Sequence, residues 1–181
     1  MRKTVLTFGL IAGGLLALMM SATVPFIDRI GFDKGEIIGY TTMVLAFLLV
    51  FFGVRSYREN VCGGQISFPR AFLVGILIVA VASICYVIAW EIVYFNFIPD
   101  FAEKYANHLI AKLQASGASQ QKIDAQLQEL KNFKAIYSNP LYNVAFTFLE
   151  PLPVGVPVAL ISALILRKRP RNAVSQPVPQ T

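Results

Sequence analysis

Three carboxylates stand inside or beside long apolar stretches: Glu36, Glu91 and Glu150. Lipid offers an ionised side chain no solvation, so a carboxylate at membrane depth is a candidate functional group, suited to holding a cation or exchanging a proton. Glu150 has the most unusual setting, FTFLEPLPVGVPVALISALILRKRPR, where Pro151, Pro153 and Pro157 follow it and Arg167, Lys168, Arg169 and Arg171 form a basic stop. Each proline lacks a donor and frees the carbonyl four residues back, here those of Thr147, Leu149 and Pro153. The sequence therefore predicts a helix broken or kinked between Glu150 and Pro153. The break should face protein or a wet cavity, because freed carbonyls need partners that acyl chains cannot give.

The elements that position these groups are four apolar runs, Val5–Ile27, Ile37–Val54, Ala71–Phe97 and Val144–Leu166. Each approaches the roughly 20 residues that a helix needs to cross about 30 Å of hydrocarbon. With 56% hydrophobic and 14% charged residues among 181, the composition excludes an ordinary soluble domain. The fold class expected is all-α integral membrane: a single four-helix domain over residues 1–171, then a disordered cytoplasmic tail over 172–181. The opening MRKTVLTFGLIAGGLLALMMSAT also has the features of a secretory signal. Its apolar run continues through Ile27 and three spans follow, which favours a retained first helix.

Nine of the sixteen basic residues fall in three short segments: Arg2 and Lys3; Arg55, Arg58 and Arg70; and the basic stop. These alternate with the other helix ends, so the net charge of +6 reads as a topology signal rather than a nucleic-acid face. Both termini and the central loop are expected in the cytoplasm. From the basic anchors, Glu150 lies roughly 25 Å, Glu36 roughly 28 Å and Glu91 roughly 30 Å along the helix axes. All three are thus expected as an acidic layer near the outer mouth, with Asp28 and Asp33 close by and Arg29 and Lys34 as partners.

Small residues recur every four positions in two spans, Gly9, Gly13, Ala17 and Ser21 in the first and Gly155, Ala159 and Ala163 in the last. That spacing lets helices approach closely, here with each other or across a dimer. Between the third and fourth spans, residues 100–139 carry Phe101, Tyr105, Leu109 and Leu113 on one stripe and Ile123, Leu127, Leu130 and Tyr137 on another. Gly117 is a natural stop and Ser119 a natural cap, so the insert reads as an extracytoplasmic helical hairpin. The aromatic end of the third span, from Tyr86 to Phe97, suits a membrane boundary or an aromatic packing face.

No HExxH, phosphate loop, or serine or cysteine nucleophile with a base is present, so no enzymatic activity, cofactor or metal is expected. His108 stands alone and reads as a solvated or capping side chain. Cys62 and Cys85 fall in the central loop and within the third span, which gives no disulfide.

The small-residue first helix, FFGVRSYREN, the Gly-split SGASQQKIDAQLQELKNF and the ending FLEPLPVGVPVALISALILRKR together resemble the bacterial membrane-protein family filed as domain of unknown function 4199. The resemblance covers nearly the whole chain, with Glu150 and Pro153 to Gly155 fitting best and the stretch after Arg171 a private extension. It implies a four-helix inner-membrane protein and transfers no catalytic residues. The expected role is an interaction, scaffold or accessory subunit, alone as a homo-oligomer or with another membrane protein. The alternative is a small oligomeric transporter or channel using the acidic site near the outer mouth.

Overall fold

The computed structural model describes residues 1–168; the expected tail at 172–181 and two of the basic-stop residues, Arg169 and Arg171, lie outside them. Among the described residues eight α-helices are formed: α1 Arg2–Thr23, α2 Ile27–Ile30, α3 Phe32–Asn60, α4 Phe68–Phe97, α5 Phe101–Ala115, α6 Gln120–Tyr137, α7 Pro140–Leu149 and α8 Leu152–Leu166. Four stretches of these residues are long and apolar enough to cross a membrane: Arg2–Ile30, Phe32–Asn60, Phe68–Phe97 and Pro140–Leu166.

The four expected runs are all recovered, but each extends past its apolar limits, because backbone hydrogen bonding continues into the polar flanks. The connection between the first two spans is almost entirely helical. Val24–Phe26 forms a 3-10 turn at Pro25, α2 follows, and Gly31 alone separates α2 from α3. Gly31 has φ 87° and ψ 143°, a conformation essentially restricted to glycine.

Helix α4 is the centre of the bundle. Half of its apolar window is buried (50%), against a third (33%) for each of the other three spans. Between membrane helices the driving force is close van der Waals packing rather than exclusion of water, so small residues decide which helices meet. A Cβ added at Gly9 would lie 2.6 Å from Val81 Cβ, and one at Gly13 would lie 2.6 Å from Cys85 Cβ and 3.1 Å from Ala82 Cα. On another face of α4, Gly75 meets Ala159, and a Cβ at Gly155 would lie 2.5 Å from Val79 Cγ1. The two ladders therefore do not pack against each other; both seat on α4. Ser21 is exposed and Ala17 only half-buried, so the first ladder ends in effect at Gly13.

Phe8 lies against Gly53 and Ile27 against Gly35, which sets α1 and α3 antiparallel. A two-way backbone pairing of Ile66 and Lys168, at 3.1 and 2.9 Å, ties the α3–α4 connection to the end of α8. The described ends of the chain thus share one end of the bundle, and the α5–α6 insert lies at the opposite end.

Candidate functional site

The fourth span is interrupted where expected, and its local sequence explains how. Asn139 caps α7, its side chain accepting from Leu141 N–H at 3.0 Å, and Pro140 occupies the first turn where a missing donor is harmless. Helix α7 stops at Leu149, Pro151 sits at the cap of α8, and Gly155 N–H donates to Pro151 O at 2.9 Å. The break is thus confined to Glu150 and Pro151. Pro153, expected to share in it, lies in the first turn of α8, where its ring fits the helix, and it is exposed while Pro151 is fully buried.

The interruption leaves Glu150 at the wall of a cavity of about 280 Å³. Helices α1 and α3 supply its sides and an apolar floor of Leu16, Met20 and Met43; α4 supplies Tyr86 and Trp90, and Phe101, Tyr105 and Tyr137 close it from the hairpin. Tyr86 Oη donates to Glu150 Oε2 at 3.1 Å. Beside this, Trp90 Nε1 donates to Asn143 Oδ1 at 3.0 Å and Thr147 Oγ1 donates to the same oxygen at 3.3 Å, with Asn143 wholly buried. Burial pushes the Tyr137 phenol up to about 12, and Tyr105 is also raised, chiefly by burial and then by Glu36. Both stay neutral, as donors and ring faces, across the working pH range.

The three sequence-picked carboxylates do not share one site. Glu36 and Glu150 line the same cavity, whereas Glu91 does not reach it, and Glu91 Oε1 is buried without a hydrogen-bond partner among the described residues. Glu91 directly follows Trp90, and one residue turns a helix by about 100°, which is enough to take it off the cavity face.

Asp28 and Asp33 also find other partners than Arg29 and Lys34. Lys104 Nζ meets Asp28 Oδ2 and Lys112 Nζ meets Asp33 Oδ1, each at 2.7 Å, while His108 Nε2 lies 3.3 Å from Asp33 Oδ1 and stacks on Phe32 at 5.1 Å. Phe101 and Tyr105 pack on the Phe32 ring at 5.8 and 5.7 Å. His108 is thus a docking side chain, and among the described residues no three His, Cys, Asp or Glu gather to hold a metal. Helix α6 returns along α5, with Lys134 paired to Glu103 at 2.8 Å. Ser119 stands at its cap position but its hydroxyl makes no capping bond.

These exposed ion pairs make hairpin docking sensitive to salt. Going from about 0.1 M to about 1 M shortens the screening length from about 10 to about 3 Å, so amide exchange should quicken in α5 and α6 and stay unchanged in α4. The hydrogen bond to Asp28, with Asp100 second, holds Lys104 above the usual lysine range, and Asp33 does the same for Lys112. A raised amine contributes fully below its unfolded value of about 10.4 and loses that contribution as pH climbs through the higher folded value. The same exchange measurement should therefore show these lysine contacts intact at neutral pH and weakening only above about 10.4.

The sequence pointed to the carboxylates and the break but not to the rings and the amide. Asn143 fell one residue outside the apolar run as drawn from Val144. The Asn139–Pro140 cap signal was the clue that the helix begins earlier. Tyr40, Tyr86 and Tyr105 are far apart in the chain, and nothing local marks them as one wall.

No curated protein and no solved structure matches this chain. The profile of the family described as "Protein of unknown function (DUF4199)" matches residues 7–168, and the chain belongs to that family.

Proposed function

We propose that the chain is a small bacterial inner-membrane protein that acts by binding rather than by catalysis: an interaction or accessory subunit whose cavity beneath the hairpin receives a small ligand. The cavity carries this reading. It approaches the size of small-molecule sites, about 300 Å³ and upward, and it is walled by rings and two carboxylates.

Charge supports an orientation with both termini in the cytoplasm and the hairpin outside. Among the described residues, the end holding Arg2 and Lys168 carries Arg2, Lys3, Arg55, Arg58, Arg70, Arg167 and Lys168 against Glu59 alone, while basic and acidic residues are mixed at the hairpin end.

Native mass spectrometry of the full chain, extracted from its own membranes, tests the reading. Gly39 lines the cavity with nothing within 4 Å of an added Cβ. The wild type is expected to retain a small-molecule adduct that Gly39→Trp loses; spectra without adduct in both, or with equal adduct in both, would remove the proposal.

The chain break against the cavity wall favours a second reading, transport by an oligomer. A single chain leaves little room for a path, since Phe47, Val50 and Val54 fill the bundle beyond the cavity floor. Proteoliposome flux lost in Glu150→Gln but surviving removal of residues 100–139 would support transport.

A further inference from the structure

The charge in the cavity is one-sided. Among the described residues, Glu36 and Glu150 are the only charged side chains that line it. Among the described residues neither takes part in an ion pair: Lys104 and Lys112, the nearest hairpin cations in sequence to its roof, pair with Asp28 and Asp33, with Lys112 sharing an outer surface hollow with Glu36. Tyr86 gives Glu150 one hydrogen bond at 3.1 Å, which satisfies one carboxylate oxygen without neutralising the charge.

The rest of the wall narrows what would neutralise it. Tyr40, Tyr86, Trp90, Phe101, Tyr105 and Tyr137 all line the space. Ring faces are negative and attract cations that have shed water, most strongly quaternary and substituted ammonium groups. A hydrated metal ion needs several oxygen ligands in place of its shell, and the wall offers two carboxylates among rings. The floor of Leu16, Met19, Met20 and Met43 is apolar and, through its thioethers, adaptable to alkyl groups of different shape.

We infer that the cavity binds an organic monocation, a substituted ammonium whose head lies among the rings within the field of Glu36 and Glu150 and whose apolar part rests on the methionine floor. This rests on the binding role proposed above and adds the ligand class. Tyr105 lines the cavity together with both acids: after its burial, Glu36 and Glu150 are among the groups that raise its phenol, with Lys112 acting the other way.

The test uses the full chain in lipid nanodiscs and three probes of similar shape: benzyltrimethylammonium, its uncharged carbon isostere neopentylbenzene, and benzenesulfonate. Trp90, the only tryptophan in the chain, lines the cavity and reports occupancy by its emission, with calorimetry as an independent readout. Benzyltrimethylammonium is expected to bind at least about tenfold tighter than the isostere, with benzenesulfonate weakest. Glu36→Gln with Glu150→Gln should remove that preference and leave isostere affinity unchanged, while Glu150→Asp, which keeps the charge, should keep it. Isostere or sulfonate binding as tight as the cation overturns the ligand class and leaves the binding role standing. Failure of all three to bind folded wild type overturns both.

Discussion

Replacing Gly13 by leucine is expected to lower the stability of the bundle by about 3 kcal/mol, the upper part of the usual range for overpacking. The sign is not what helix propensity alone would give, since leucine in place of glycine favours a helix by nearly 1 kcal/mol. Contact decides it. An added Cβ at Gly13 would lie 2.6 Å from Cys85 Cβ, 2.9 Å from Cys85 Sγ and 3.1 Å from Ala82 Cα. A cysteine sulfur can rotate away; a backbone carbon can retreat only if α1 leaves α4. Gly14, the adjoining residue, is the control, because a Cβ there meets nothing within 4 Å. In an unfolding titration in mixed micelles, Gly14→Leu should match or exceed the wild type while Gly13→Leu unfolds early. Equal curves for the two would mean that α1 does not seat on α4 through this residue.

The second large effect is at Trp90. Its indole is 6% exposed, lies edge-on to Phe101 at 5.1 Å and donates to Asn143. Truncation to alanine should cost about 3 kcal/mol, the low end for a buried tryptophan, because in lipid the transfer contribution is largely absent and lost packing dominates. Trp90→Phe keeps a ring against Phe101 but removes the donor, so Asn143, whose Nδ2 already lacks a partner, loses one of the two hydrogen bonds to its oxygen. Leaving a buried polar group unpaired costs about 1–3 kcal/mol, whereas replacing both partners with apolar groups is close to neutral. Trp90→Phe/Asn143→Leu should therefore be at least as stable as Trp90→Phe, and the double-mutant cycle should give a coupling of about 1 kcal/mol. Thr147 can return its hydroxyl to the carbonyl four residues back, so it does not spoil the comparison. Strict additivity would show that the indole and the amide do not act as a pair.

The fold was legible because membrane crossing is written in composition. Uninterrupted apolar length marked the four spans, and the insert showed itself as a helical pair through Gly117, which adopts φ 73° between α5 and α6. The proline break was legible too, since a missing donor is a local property. Partner choice was not. Gly9 and Gly155 announced close approach, but spacing along one helix does not say which neighbour fills the gap, and both turned out to face α4. The site suffered the same limit. Rise per residue placed Glu36, Glu91 and Glu150 at similar depth, yet depth carries no azimuth, and Glu91 points elsewhere. Asp28 and Asp33 were read with the basic residues beside them in sequence; their partners come from more than 70 positions away, at Lys104 and Lys112.

The central position of α4 also bears on how the chain is made. A ribosome delivers the spans in order, and α4 is the third of four. Its largest neighbour, α1, is already in the bilayer when α4 arrives, as is α3, so most of the bundle can assemble while residues 100–139 are still emerging. The last span then docks into the groove between α3 and α4, closing with the Ile66–Lys168 pairing.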